Sequence, residues 1–275
     1  MTWHQTGVST TNLPPSWLCQ LPSKDYWSTP FAESLFSQLD LPVGASVLDI
    51  ACGDGIPAFC LAHRVGPTGR VVGIDLNEAQ LIRARACQGP YFPWLEFRRE
   101  DLRALSSDLE RFDRITGNLA FMFFRPHRKE ALQALTQFLK PGGQLVFTFP
   151  SLGTFDSLWQ RVDQEMASRG YTTERKELAA YIAERPSAAD ARQWLLEIGL
   201  ERVAVFEQPL QVETDAGNAF LYHPLLRGGF LEDVYDCFTE QELADSVMNA
   251  VAYDIHSFMP LIAQRCVMSG WHVKS

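Results

Sequence analysis

The sequence contains no Cys-x-x-Cys pair: its cysteines, Cys19, Cys52, Cys60, Cys87, Cys237 and Cys266, are scattered singly. That excludes the common zinc and dithiol redox patterns, and reduced thiols are the simplest expectation. His4, His63, His256 and His272 do not cluster either, so no metal site is expected. Basic residues are in deficit, 24 Lys and Arg against 33 Asp and Glu, for a formal net charge of −9. Nucleic acid and anionic membrane both require a basic face, so neither is an expected partner. The local pairs Arg83/Arg85 and Arg98/Arg99 read most simply as solvated faces. No apolar run approaches the roughly 18–20 residues that span a bilayer. Residues 1–23 lack the basic start and apolar run of a signal peptide, which predicts a cytoplasmic protein. There is no internal repeat and no low-complexity segment.

What is present is an ordinary globular composition, 46% hydrophobic and 21% charged over 275 residues, enough for a sizeable core. From about Ala45 to Pro150 short apolar runs alternate with helical stretches, the signature of βαβ units in a parallel sheet. Strands are predicted at 46–51, 70–75, 94–98, 112–118 and 144–149, with helices at 56–64, 78–87 and 127–139. The last helix is expected to stop at Pro141-Gly142-Gly143. After Pro150 the rhythm changes. Phe155, Leu158, Trp159, Val162 and Met166 share one helical face, and a helix from Ser187 stops at Gly199. Val203–Phe206 resembles a strand, 218–258 is mostly helical with Leu243, Val247, Val251 and Ile255 at turn spacing, and 265–273 fits a closing strand.

The chemistry concentrates in Val47-Leu48-Asp49-Ile50-Ala51-Cys52-Gly53-Asp54-Gly55, a strand ending in a glycine turn that opens a helix. Glycine lets a ligand approach the backbone closely. Pro57 falls in the helix's first turn, where its missing N–H costs nothing. Twenty residues past Gly55, Asp75 ends the second strand, placed to accept from both hydroxyls of a ribose. Gly53-x-Gly55-x-x-Ala58 with Asp75 also satisfies the dinucleotide fingerprint, so NAD competes with S-adenosylmethionine (SAM). Three features favour SAM. Asp49, on the strand itself, can meet the amino end of methionine, whereas a pyrophosphate would be repelled there. Asp101, in Glu100-Asp101-Leu102, can accept from an adenine amino group. No second nucleotide-binding half follows Pro150.

Residues 47–85 resemble the glycine loop and following acidic strand of class I SAM-dependent methyltransferases, with the flavour of the ubiquinone and menaquinone biosynthesis enzymes and their small-molecule relatives. Leu139-Lys140-Pro141-Gly142-Gly143 matches them as well, so the resemblance covers roughly 45–150. It implies a doubly wound, Rossmann-like α/β fold of seven strands with the last one antiparallel. It also implies that Asp49, Gly53, Gly55, Asp75, Leu76, Asp101, Leu102 and Asn118 line the cofactor site, with Ala51 and Cys52 in the loop. Beyond the fifth strand the chain departs from the quinone enzymes at Phe147-Thr148-Phe149-Pro150-Ser151 and in the helical stretch 218–258. The departures argue against a quinone acceptor.

Each candidate has a plainer reading. Asp49 could anchor the loop through backbone N–H groups, Asp101 could cap a helix and Asn118 could stabilise a turn. Tyr26-Trp27 forms either a hatch over the cofactor or the packing of an N-terminal helix. Candidate bases are His127, which could instead cap its helix, and His223 with Tyr222 in the late insertion. The expected layout is an N-terminal segment and helix over the site (1–44), then a SAM-binding domain (45–275) with helical cap insertions at about 153–185 and 217–259 forming a lid. The expected activity is methyl transfer to an oxygen or nitrogen of a small apolar or aromatic metabolite. The alternatives are a cyclase or other non-methylating SAM-binding catalyst, a quinone-type C-methyltransferase and an NAD-dependent oxidoreductase.

Overall fold

The computed structural model describes residues 27–88, 90–101, 105, 109–212, 221–222 and 231–273. Its centre is a seven-stranded sheet of order β3-β2-β1-β4-β5-β7-β6. The strands are β1 (Ser46–Ile50), β2 (Arg70–Asp75), β3 (Leu95–Arg99), β4 (Phe112–Gly117), β5 (Leu139–Pro150), β6 (Glu201–Val212) and β7 (Leu261–Trp271). Strands β1 to β5 pair in parallel, and β7 runs antiparallel. Gly142 N–H donates to His272 O at 3.1 Å, and His272 N–H donates back to Gly143 O at 2.8 Å.

Parallel strands are covered on both faces, so they read as continuous apolar runs with alternate residues facing opposite sides. Val47 and Val71 pack in one buried cluster with Leu35, Phe36, Phe59, Leu61, Leu81 and Ala84. These come from helices α1 (Ser28–Gln38), α2 (Ile56–Val65) and α3 (Glu78–Gln88). Leu48, Ile50, Val72 and Ile74 point the other way, into a cluster with Leu132, Leu135 and Leu195. Those leucines sit on α4 (Arg128–Thr136) and α7 (Ala188–Glu197). This is the doubly wound arrangement. Phe121 joins the second cluster, its ring 5.0 Å from Phe149 and 5.8 Å from Trp194.

The Pro-Gly-Gly prediction needs correction. Helix α4 ends at Thr136, and β5 already begins at Leu139. Leu139 pairs with Phe112 before a register shift between Phe112 and Arg114, so Pro141-Gly142-Gly143 is an irregularity inside the strand. Its glycines bond to the end of β7, and Gly142 takes the left-handed φ of +75° that this requires.

The chain forms two compact units: Met1–Phe149 with Ala188–Phe206 and Cys266–Ser275, and Pro150–Ser187 with Glu207–Arg265. In the second unit, α5 (Asp156–Ser168) packs on α6 (Thr172–Ala183) and on α9 (Gln241–Tyr253). The expected apolar stripe of α5, Leu158, Trp159, Val162 and Met166, is buried, as are Val247 and Val251 of α9. A short helix α8 (Glu232–Tyr235) completes the described α-helices of that unit. The buried Arg185 guanidinium donates to Thr154 O at 2.9 Å and lies 5.8 Å from the Trp159 ring. Among the described residues no helix is long and apolar enough to cross a membrane.

Candidate functional site

The site grows from the register of three adjacent strands. Asp49 on β1 lies opposite Gly73 on β2 and Thr116 on β4. At 1% exposure Asp49 is buried, and its Oδ1 accepts from Thr116 Oγ1 at 2.8 Å. Its Oδ2 is buried with no hydrogen-bond partner. Burial pushes the Asp49 carboxyl up to about 7; the Thr116 bond opposes this and the charge of Asp75 adds to it. A buried acceptor left unpaired costs about 1–3 kcal/mol, so its presence calls for an explanation.

The turn after β1 folds by backbone geometry. Ala51, Gly53 and Gly55 all take positive φ, at 51°, 56° and 81°. For Ala51, which carries a Cβ, this costs on the order of 1–3 kcal/mol. Gly55 has no substitute: a Cβ there would stand 2.6 Å from Phe97 Cζ and 3.2 Å from Ala84 Cβ, besides the left-handed φ. Cys52 N–H donates to Ile74 O at 3.0 Å, and Gly55 O accepts from Phe59 N–H at 2.9 Å as α2 begins. Burial, together with the charges of Asp49 and Asp75, pushes the Cys52 thiol well above its usual range, leaving it neutral.

Asp75, at the tip of β2, holds this turn. Its Oδ2 accepts from Gly53 N–H and its Oδ1 from Asn77 N–H, both at 2.8 Å. A carboxylate offers about four acceptor positions, so each oxygen keeps one for a ligand. Leu76, next along, is 52% exposed. Its carbonyl accepts from Arg99 Nε at 3.3 Å, and Glu100 N–H donates to Asp75 O at 3.2 Å, so the end of β3 closes beside that of β2. Asp101 follows, partly buried. Leu102 and Tyr26 lie outside the described residues.

At the end of β4 the polar groups are turned inward. Asn118 Nδ2 donates to Ser28 O at 3.1 Å, and its Oδ1 accepts from Thr148 Oγ1 at 2.7 Å. Thr148 Oγ1 in turn accepts from Leu119 N–H at 3.0 Å, and Leu119 has φ +59°. Asn118 thus joins the first residue of α1 to β5. Trp27, just before α1, is buried with its ring 5.1 Å from Phe31.

His127 is exposed at the start of α4; its carbonyl accepts from Ala131 N–H at 3.0 Å, and its ring makes no cap. Tyr222 belongs to the second unit, where its hydroxyl bonds to Asn249 Oδ1. His223 lies outside the described residues. Sequence reasoning missed Thr116, Thr148 and Gln80, whose Oε1 lies 3.6 Å from where a Cβ on Gly53 would stand. Thr116 precedes Asn118 by two residues, the one local signal that both share a strand face.

A family model described as a methyltransferase domain matches residues 47–143. This segment is a class I SAM methyltransferase domain. The chain is 34% identical over 158 residues to a trans-aconitate 2-methyltransferase of Streptomyces avermitilis, covering 56% of this chain and 57% of that one. It is 30% identical over 172 residues to a ubiquinone/menaquinone biosynthesis C-methyltransferase of Pseudomonas entomophila, covering 58% and 66%. The chain spans about half the length of the curated relatives it matches. Among solved structures, an arsenic(III) SAM methyltransferase of Chlamydomonas reinhardtii aligns over 98% of this chain and 73% of its own, at 16% identity and TM-score 0.53. The [4+2]-cyclase SpnF aligns over 90% and 81%, at 15% identity and TM-score 0.55. These likenesses establish the class I fold of the methyltransferase domain, and a fold leaves the chemistry to its site.

Proposed function

We propose that this chain transfers the methyl group of SAM to an oxygen or nitrogen atom of a small apolar or aromatic acceptor. The observation that carries the reading is the unpartnered, buried Oδ2 of Asp49 beside the glycine turn that Asp75 holds. A cofactor with an ammonium group and a ribose diol fits that pair of carboxylates. A dinucleotide also offers Asp75 a ribose diol, but it brings a pyrophosphate and no ammonium group to the unpartnered oxygen of Asp49.

When bound, SAM supplies an electrophilic methyl group on a sulfonium. Within this proposal Asp75 accepts from the ribose hydroxyls, and the backbone of Ala51, Cys52, Gly53 and Gly55 gives way for close approach. The exposed side chain of Leu76, with Asp101 and Leu102, frames the adenine, and Asn118 holds α1 against the end of β4. Methyl transfer is an in-line displacement, so alignment and exclusion of water carry most of the acceleration. A hydroxyl acceptor benefits from a base, for which His127, Tyr222 and His223 are the candidates; a neutral amine needs none.

Calorimetric titration with S-adenosylhomocysteine, and separately with NAD, tests the reading. The homocysteine product is expected to bind at micromolar concentration. Asp75→Ala should weaken it by roughly 100-fold or more, since hydrogen bonds to a charged group are worth about 1.5–3 kcal/mol each. Binding of NAD in place of the homocysteine product would overturn the proposal.

A further inference from the structure

Asp49 poses a question that cofactor positioning alone leaves open: how a buried acid tolerates an oxygen with no partner. Among the described residues the groups acting on it are Thr116, through its hydroxyl, and Asp75, through its charge. The cations on the neighbouring helices are engaged elsewhere: Arg64 of α2 lies 4.4 Å over the Phe36 ring, and Arg83 of α3 pairs with Asp54 at 2.8 Å. The loop brings the neutral Cys52 thiol and the acidic Asp54, α2 brings the neutral Cys60 thiol, β2 brings Asp75 and α3 brings the amide of Gln80. Burial pushes the Cys60 thiol up to about 12; the Arg64 guanidinium opposes this and the charge of Asp49 adds to it. Two acids and two neutral thiols disfavour the ionised form of a buried carboxyl, and a proton on its free oxygen removes that unpaired charge.

We propose that Asp49 exchanges its own proton for the ammonium group of the cofactor, so that binding releases a proton from the pocket. The inference rests on the functional reading above. In the free site the carboxylic acid stands with Thr116 Oγ1 donating to Oδ1 and the proton on Oδ2. When the ammonium arrives, the O–H bond of Asp49 breaks, the electron pair stays on the carboxylate, and the proton leaves to solvent. The ion pair of carboxylate and ammonium remains. Thr116 is the positioning residue: by holding Oδ1 toward β4 it leaves Oδ2 for the ligand.

Proton release is read directly from calorimetry. Titration of the full chain with S-adenosylhomocysteine at pH 7, in phosphate and in Tris, should give heats that differ in proportion to the ionisation heats of the buffers. The slope should correspond to about half a proton or more, because the free acid titrates near that pH. Affinity should rise up to about tenfold per pH unit below pH 7, and level off above it until the ligand's own amine titrates. Methylthioadenosine, which has the nucleoside without the amino-acid end, should bind with no such release. Asp49→Asn should bind the homocysteine product more weakly at pH 8 and with buffer-independent heat. Thr116→Val removes the bond that favours the carboxylate and should move the affinity midpoint to higher pH, with Thr116→Ser restoring it. Tight binding with buffer-independent heat in the unmodified chain overturns the exchange and leaves the functional reading standing. Equal release with methylthioadenosine or with Asp49→Asn overturns it too. Absence of any binding of the homocysteine product overturns the functional reading, and the exchange falls with it.

Discussion

The carboxyl ends of β1 and β2 differ from that of β4 in what their polar side chains still have to give. Asp49 uses one oxygen and leaves the other unpartnered, and Asp75 spends one acceptor position per oxygen on the turn. Asn118, at the end of β4, has given its amide to Ser28 and its carbonyl oxygen to the Thr148 hydroxyl. Both ends carry polar residues where a parallel sheet places ligands. The two ends are thereby distinguished by charge and by one unpartnered buried oxygen at Asp49, against a neutral amide at Asn118 that bridges α1 to β5.

The largest effect that would break this comparison is on stability against pH. The Asp49 carboxyl stands near 7 in the folded protein and ordinarily near 3.9 in an unfolded chain. Between those values the folded state holds the proton and the unfolded state does not, so stability falls as pH rises and levels off above about 7. Asp49→Asn does not titrate. Its stability relative to the parent should therefore improve by on the order of 2–3 kcal/mol between pH 5 and pH 8. Urea unfolding at the two pH values measures it; a constant difference would mean that Asp49 is an ordinary ionised residue.

Asn118→Ala gives the next effect, with the opposite signature. It removes the Asn118 bonds to Ser28 O and to the buried Thr148 hydroxyl, at a cost of about 1–3 kcal/mol. A fall in Tm of roughly 2–10 °C is expected, with affinity for S-adenosylhomocysteine changed by less than about threefold. An affinity loss above tenfold at unchanged Tm would place Asn118 on the ligand and erase the distinction between the two sheet ends.

Legibility followed sequence separation. The predicted strand 70–75 coincides with β2, and the glycine turn, its helix and Asp75 stood out within thirty residues of one another because local periodicity and turn chemistry fix them. What escaped was set by register between strands far apart in the chain. Thr116 meets Asp49 across 67 residues, Thr148 meets Asn118 across 30, and Ser28 meets Asn118 across 90. Pairing β1 with β4 is a property of sheet order, which no local pattern carries. The Pro-Gly-Gly segment misled for the related reason that its partner, the end of β7, lies more than a hundred residues on, so a tertiary bulge looked like a helix stop.

The smallest effect sharpens the comparison from the outside. Arg83 on α3 pairs with Asp54 of the glycine turn at 2.8 Å, and on geometry alone looks like a third support of the loop beside Asp75 and Gly55. Both side chains are about half exposed, at 57% and 45%, so water competes for the same charges and salt screens them. Such pairs contribute about 0–1 kcal/mol, against the roughly 1.5–3 kcal/mol of each hydrogen bond to a charged group inside the turn. Arg83→Ala should lower stability by no more than about 0.5 kcal/mol and shift affinity for S-adenosylhomocysteine by less than about twofold. The residual effect should vanish at high salt in the same titration. A tenfold loss that persists at high salt would mean that the loop is held from α3 as firmly as from β2, and that the ligand-receiving half of the sheet extends onto the helix beside it.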